Sequence, residues 1–248
     1  MGDPVVHFEL NGPDGEALAT FYSSLFGWGT SKVEGFDYWL IDTRSGQGIN
    51  GGIGQTEDGG AFATFYVQSD QPEALMEKAE KAGATVITPI TETPMVTFGL
   101  FSDTDGLVVG IVKGGTGQEG TAPSAGDNPP VDWFDVLGTD AQRTQGFYRD
   151  LFGWETDDSG FPGYALVQHE HDEQGRGIQI GGGLGAGDGT TWATVYANVP
   201  DVEATLQKAE SLGGKRAYGP NEIEGQNMKT GAFHDPAGNP FGLYSSSR

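Results

Sequence analysis

The chain has 248 residues, a formal net charge of −22 from 13 Lys and Arg against 35 Asp and Glu, and no cysteine. Such an acidic surface repels polyanions, so nucleic acid and anionic membranes are excluded as expected partners. The lack of cysteine excludes disulfides, thiolate metal sites and a cysteine nucleophile. Without an apolar signal segment or a run of the roughly 20 apolar residues that span a membrane, the sequence predicts a cytoplasmic protein.

The opening stretch of the chain alternates between strand and helix patterns. "VVHFEL" predicts a strand, and Asp14 follows it at a position suited to capping a helix. The apolar residues of this helix recur at helical spacing and form one stripe, which consists of Leu18, Phe21, Tyr22, Leu25 and Phe26. Gly27 suits the residue that ends the helix, and "FDYWLID" and "GINGGIG" then predict two strands joined by a turn.

The next stretch repeats this order. "AFATFYV" predicts a strand, Asp70 and Pro72 open a second helix, and Gly83 closes it. Three strands follow, predicted by "ATVITPI", "VTFGLFS" and "LVVGIVK". We therefore expect the order βαβββ twice within the first 113 residues.

The second half of the chain is a copy of the first. "FYSSLFGW" from Phe21 to Trp28 matches "FYRDLFGW" from Phe147 to Trp154, and "GLFSDTDGLVVGIV" matches "GAFHDPAGNPFGLY". A period of half the chain indicates tandem domains, since solenoid repeats are much shorter. The stretch between the copies is rich in Gly, Pro and small polar residues, which is typical of a linker. The sequence thus predicts domains at 1–113 and 131–248, with a linker at 114–130.

These motifs resemble the vicinal-oxygen-chelate superfamily, which includes glyoxalase I, bleomycin-resistance proteins and extradiol dioxygenases. The resemblance covers nearly the whole chain, once per copy, and extends to tandem glyoxalase-like proteins of actinobacteria. It implies an α+β fold of two tandem domains. In each domain, two βαβββ units curl into a cup-shaped sheet with the helices outside.

In that family a metal is held by residues on the first and last strands of each unit. The resemblance places these positions at His7, Thr64 and Gly110 in the first copy and at Trp133, Thr194 and Gly242 in the second, with the remaining ones in "GGIG" and "GGGLG". Only His7 could bind a metal, and a divalent ion needs several N or O ligands. We therefore expect no metal and no cofactor, and we expect Gly110 and Gly242 to widen the cups.

Strand alternation indicates what faces the vacant cups instead. It turns Glu9 and Asp135 inward at equivalent positions, and it places His7 one inward step from Glu9. A carboxylate without a partner in an apolar cup has a raised pKa and can transfer protons, so these three are the predicted catalytic residues. The predicted substrate-binding residues are Trp133, Tyr38, Phe62, Thr64, Tyr66, Tyr164, Trp192, Thr194, Tyr196, Gly110 and Gly242.

Two functions fit this pattern. The first is a metal-independent enzyme of lyase, cyclase or isomerase type, acting on an aromatic or polycyclic natural product by dehydration, cyclisation or epimerisation. The second is a metal-free binding protein that sequesters a drug or metabolite, as in antibiotic resistance. "QHEHDEQGRG" at 168–177 contains a His-x-His but predicts an exposed hairpin tip. We expect either a monomer with internal pseudo-symmetry or a homodimer.

Overall fold

The computed structural model describes residues 2–114, 123–167 and 180–246. The described residues form four βαβββ modules, numbered in chain order, which confirms the predicted α+β fold. Residues 115–122 of the predicted linker and the His-x-His stretch lie outside the described residues. No helix in the described ranges is long and apolar enough to cross a membrane.

The first two modules belong to the first copy. The first module comprises β1 (Val5–Gly12), α1 (Gly15–Phe26), β2 (Gly29–Lys32), β3 (Tyr38–Asp42) and β4 (Asn50–Gln55). The second comprises β5 (Phe62–Ser69), α2 (Pro72–Lys81), β6 (Thr85–Glu92), β7 (Thr97–Ser102) and β8 (Val108–Lys113). Their strands form one curled eight-stranded sheet in the order β2-β3-β4-β1-β5-β8-β7-β6.

The last two modules repeat this arrangement in the second copy. The third comprises β9 (Val131–Gly138), α3 (Ala141–Phe152), β10 (Thr156–Phe161), β11 (Tyr164–Val167) and β12 (Gly181–Ala186). The fourth comprises β13 (Trp192–Asn198), α4 (Val202–Ser211), β14 (Lys215–Ile223), β15 (Met228–His234) and β16 (Pro240–Ser246). The second sheet has the matching order β10-β11-β12-β9-β13-β16-β15-β14.

The helix ends follow the local signals in the sequence. Asp14 accepts a hydrogen bond from the Ala17 N–H at 2.9 Å, and Gly27 has the left-handed φ of 78° that glycine favours after a helix. The predicted start of α2 needs a correction. Its first residue is Pro72, but the capping position is Gln71, whose side chain makes no capping bond, and Asp70 lies one residue earlier.

The contacts divide the chain into two compact units that differ from the two copies. Unit one contains Met1–His7, Thr64–Thr121 and Trp133–Ala193, and thus the second and third modules. Unit two contains Phe8–Ala63, Ala122–Asp132 and Thr194–Arg248, and thus the first and fourth modules. Each unit therefore combines one module from each copy.

The repeated octapeptides hold each unit together. In unit one the Tyr148 hydroxyl donates to Asp103 at 2.9 Å, and the Trp154 indole donates to the Asp3 carbonyl at 2.6 Å. Tyr148 and Trp154 come from the second copy, whereas both acceptors come from the first. Both side chains are buried, and the two rings stack with centroids 6.3 Å apart. The octapeptide of α3 thus joins the two copies within this unit.

Unit two repeats these contacts with the copies exchanged. The Tyr22 hydroxyl donates to Asp235 at 3.1 Å, and the Trp28 indole donates to the Pro129 carbonyl at 2.9 Å. Burial raises the pKa of Asp235, and the same holds for Asp103 in unit one. The octapeptides are therefore structural, as their helical spacing indicates, and their polar partners lie in the other copy except for Pro129, which lies in the predicted linker.

Candidate functional site

Asp135 lies at the centre of a hydrogen-bonded cluster in unit one. It is 7% exposed on β9, and its Oδ1 accepts from the Tyr164 hydroxyl at 2.6 Å and from the Trp133 indole at 3.0 Å. Trp133 precedes Asp135 by two residues on the same strand, so alternation turns both side chains to one face. Three of the predicted site residues thus form one cluster. The Asp135 carboxylate accepts hydrogen bonds from two other predicted site residues.

The first module contains the equivalent pair in unit two. Tyr38 on β3 hydrogen-bonds Glu9 on β1, and Tyr38 and Glu9 are both half-buried. Burial, followed by the negative charge of Glu9 and this hydrogen bond, raises the pKa of Tyr38 well above its ordinary value. The phenol therefore stays protonated at neutral pH and acts as a donor to the carboxylate. Glu9–Tyr38 and Asp135–Tyr164 are matched carboxylate–phenol pairs.

Glycines on β4 of the first module and on β12 of the third module make room for these tyrosines. A Cβ on Gly183 would lie 1.7 Å from the Tyr164 hydroxyl oxygen, and one on Gly52 would lie 1.8 Å from the Tyr38 hydroxyl oxygen. Any other residue would displace the phenol from its carboxylate. The glycine runs that seemed only to lack metal ligands therefore have a positive role.

We expect Gly183→Ala to destabilise the protein by about 1 to 3 kcal/mol, since an inserted methyl group has to displace the Tyr164 ring. Gly146→Ala is the matched control. A Cβ on Gly146 meets nothing within 4 Å, and its helical position favours alanine by about 1 kcal/mol. Urea denaturation of both variants measures the difference. Equal unfolding midpoints for Gly183→Ala and the parent protein would contradict the assigned role of Gly183.

His7 and Tyr66 lie together in unit one. The His7 imidazole meets the Tyr66 ring edge-on, with ring centroids 5.9 Å apart. Burial lowers the pKa of His7 to about 4, so the imidazole is neutral at pH 7. The predicted partnership of His7 with Glu9 stays a prediction.

The glycines at the last-strand ligand positions also accommodate tyrosines. A Cβ on Gly110 would lie 2.2 Å from the Tyr66 ring, and one on Gly242 would lie 2.2 Å from the Tyr196 ring. The register pairs Tyr66 with Gly110 and Tyr196 with Gly242. The expectation that these glycines widen the cups is therefore wrong at this point, because tyrosine rings take up the space.

The remaining predicted positions have main-chain partners or partial exposure. The Thr64 hydroxyl donates to the Val108 carbonyl at 2.8 Å, and the Thr194 hydroxyl donates to the Pro240 carbonyl at 2.7 Å. Phe62 and Trp192 are half-buried at the starts of β5 and β13. Their roles in binding stay predictions.

The residues at the predicted ligand positions do not fit a divalent metal. The threonine hydroxyls bond carbonyl groups, and tyrosine rings fill the space beside the glycines. Among the residues that the structure describes, no three His, Asp or Glu side chains are grouped so that they could hold a metal ion.

Sequence reasoning missed one polar cluster in unit two. The Tyr244 hydroxyl donates to Asp132 at 2.8 Å, and the Asn198 amide donates to the Tyr244 oxygen at 3.1 Å. Burial raises the pKa of Asp132 to about 6, against the lowering effects of Tyr244 and Asn198. Asp132 is the second residue of β9 and a charged residue next to Trp133. This charge within a strand was the sequence signal that could have indicated the cluster.

Comparison with known proteins places both copies in one group. A model described as the glyoxalase/bleomycin resistance protein/dioxygenase superfamily matches residues 5–111, and a glyoxalase-like domain model matches residues 133–244. The chain is 30% identical over 226 residues to the anthracycline biosynthesis protein DauV of Streptomyces sp. (strain C5), covering 84% of this chain and 81% of that protein. It is 29% identical to DnrV of Streptomyces peucetius, also an anthracycline biosynthesis protein, over the same shares.

Solved structures share the fold at low identity. The Mn(II)-bound glyoxalase from Novosphingobium aromaticivorans matches with a TM-score of 0.67 at 14% identity, covering 100% of this chain and 84% of that one. The 2,3-dioxygenase LapB from Pseudomonas sp. KL28 matches with a TM-score of 0.67 at 13% identity, covering 100% and 94%. At such identities the likeness concerns the fold, because one fold hosts many chemistries.

Proposed function

The chain belongs to the glyoxalase/bleomycin resistance protein/dioxygenase superfamily, and from this premise we propose that it is a metal-independent enzyme of natural-product metabolism. Its substrate would be an aromatic or polycyclic molecule, and its chemistry would be proton transfer by a carboxylate. The observation that carries the proposal is Asp135, buried on β9 and held by Tyr164 and Trp133. The two Streptomyces relatives named for anthracycline biosynthesis support the substrate class.

The hydrogen bonds to Asp135 suit a general base. Two donors on Oδ1 stabilise the ionised carboxylate and fix its orientation. In this arrangement Asp135 removes a proton from a substrate carbon next to a carbonyl group. In a dehydration this proton leaves with a departing hydroxyl as water, and in an epimerisation a water molecule delivers a proton to the opposite face while Asp135 returns the abstracted proton to the resulting hydroxide.

Tyr164 and Trp133 are positioning residues in this scheme. Both bond the same carboxylate oxygen, so the ring of Trp133 and the phenol of Tyr164 fix one rotamer of Asp135. Their aromatic faces also suit stacking against a planar substrate. Glu9 with Tyr38 offers the same carboxylate–phenol pairing in the first copy.

The test compares turnover and binding in Asp135→Asn and Glu9→Gln. Each variant is incubated with a panel of anthracyclines, some with an amino sugar and some as the aglycone without it, with conversion followed by mass spectrometry and affinity by tryptophan fluorescence. We expect Asp135→Asn to lower kcat by about 10²- to 10⁴-fold with little change in Kd, the effect of losing a general base. Asp140→Asn, which removes an exposed carboxylate from the cap of α3, is the matched control.

Two outcomes would contradict the proposal that the protein is an enzyme. Tight binding of an aglycone without any conversion by the parent protein would favour the sequestration function. If Asp135→Asn and Glu9→Gln both lost affinity without any change in kcat, the sequestration function would also be favoured. The two carboxylates would then contribute to binding and not to a chemical step.

A further inference from the structure

We propose that Asp132, Tyr244 and Asn198 form a subsite that binds a protonated amine of the ligand. The subsite lies in unit two and belongs to the second copy. This inference deepens the proposed function, since it names a chemical group of the substrate. The inference rests on the proposed function in one respect, which is that the molecule with the amine is taken to be the substrate.

Two of the three cluster residues, Asn198 and Tyr244, lie on the same strand faces as two predicted binding residues. On β13 Asn198 follows Tyr196 by two residues, and on β16 Tyr244 follows Gly242 by two residues. The register pairs Asn198 with Tyr244, one step along from the pair of Tyr196 and Gly242. Strand alternation therefore places Asn198 and Tyr244 beside Tyr196, on the face opposite the buried core residues Val195, Phe241 and Leu243, and the hydrogen bond from Tyr244 joins Asp132 of β9 to them.

The first copy shows that the fold does not need this cluster. The repeat matches Asp132 with Val6, Asn198 with Gln68 and Tyr244 with Val112. In the first copy the apolar residues Val6 on β1 and Val112 on β8 thus take the positions of Asp132 and Tyr244, and the order of the strands in the sheet is the same. The polar cluster is a property of the second copy alone.

Retaining a carboxylate here costs stability, which favours a functional reason for it. The half-buried Asp132 has a phenol and a carboxamide as side-chain partners, and no cation is among the groups that act on it in the described part of the chain. Burial without a countercharge disfavours the ionised form. A ligand cation would supply the missing charge, and structural stability alone would favour valine, as in the first copy.

The chemistry of the three side chains fits an ammonium group. The carboxylate provides the countercharge, and the Asn198 carboxamide adds a neutral oxygen that can accept from an N–H. The ring of the half-buried Tyr244 offers an aromatic face to a cation. The net charge of −22 also favours the approach of cationic ligands over anionic ones.

The test uses two probes of nearly equal shape that differ in charge. Phenethylamine carries an ammonium group at pH 7.5, and 2-phenylethanol carries a neutral hydroxyl in its place. Calorimetric titration at about 0.15 M salt, which screens exposed charges, gives both dissociation constants. We expect the parent protein to bind the amine about tenfold more tightly than the alcohol, the effect of one charge-assisted hydrogen bond.

The variants locate the preference. In Asp132→Asn the ratio of the two dissociation constants should fall to about one. The asparagine can still accept a hydrogen bond, but it has no negative charge to attract the ammonium group. Asp140→Asn removes a carboxylate from an exposed helix cap and should keep the tenfold ratio. A parent protein that shows no preference for the amine, or a preference that survives in Asp132→Asn, would overturn the proposal.

This test stays separate from that of the proposed function. The dissociation constants are measured without turnover, so loss of conversion in Asp135→Asn leaves the amine ratio unaffected. Conversely, conversion of an aglycone by a protein with no amine preference would refute the subsite and leave the enzyme standing.

Discussion

Trp154→Ala is expected to lower the free energy of unfolding by about 3 to 5 kcal/mol, the range found when a buried aromatic side chain is truncated. The Trp154 ring is 3% exposed and packs against Tyr148, Phe152 and Phe134. Its indole also donates to the Asp3 carbonyl, which would lose that donor. Urea denaturation followed by circular dichroism measures the change.

Two matched variants sharpen this result. Trp28→Ala makes the equivalent change in unit two, where the ring is 2% exposed and donates to the Pro129 carbonyl, and should cost a similar amount. Trp154→Phe keeps an aromatic ring and should cost only about 1 to 2 kcal/mol, mainly the hydrogen bond. If Trp154→Ala unfolded at the parent's urea midpoint and lost ligand binding instead, the octapeptide would be part of a site.

Asp132 is expected to contribute a loss of stability as the pH rises from about 4 to about 7, and Asp132→Asn should remove this contribution while leaving the opposite one of His7, whose pKa is lowered to about 4. Burial raises the pKa of Asp132 from 3.8 to about 6, so the folded state binds this proton more tightly than the unfolded state. Between these two values the folded state holds more protons, and stability therefore falls with rising pH. The difference amounts to about 2 to 3 kcal/mol by pH 7.

Asp132→Asn should thus be more stable than the parent at pH 7.5 by about 2 to 3 kcal/mol and equal to it near pH 4. The asparagine oxygen can still accept from the Tyr244 hydroxyl, so the hydrogen bond survives. Urea denaturation at several pH values between 4 and 8 measures both curves. Asp140→Asn controls for the change in net charge, because asparagine caps a helix as well as aspartate does. Parallel curves for Asp132→Asn and the parent would rule out the raised pKa.

Local signals in the sequence were sufficient for most of the fold. Asp14 caps the start of α1 and Gly27 ends the helix, both as predicted, because capping depends on residues close in sequence. The short strand β2 was missed because "GTSK" has no apolar alternation and gains its place only by pairing with β3. The repeated order βαβββ follows from periodicity, which each copy shows twice.

The candidate site was predicted less completely because its contacts depend on register. Alternation placed Tyr38, Glu9, Tyr164 and Asp135 on inward faces, but which phenol meets which carboxylate depends on how neighbouring strands align. The glycines beside these phenols looked like missing ligands, since a sequence does not show which ring fills a vacant Cβ position. Asp132 was overlooked because its partners, Asn198 and Tyr244, are 46 residues apart in sequence and meet only through strand pairing.

The reciprocal bonds of Tyr22 with Asp235 and of Tyr148 with Asp103 have a consequence for how the gene can change. Each copy supplies the phenol for one unit and the carboxylate for the other. A substitution in the helix of one copy therefore has to be compatible with a turn encoded in the other half of the gene. Each half carries both a phenol and a carboxylate, yet neither half can be lost by recombination without leaving buried groups of the other half without their partners.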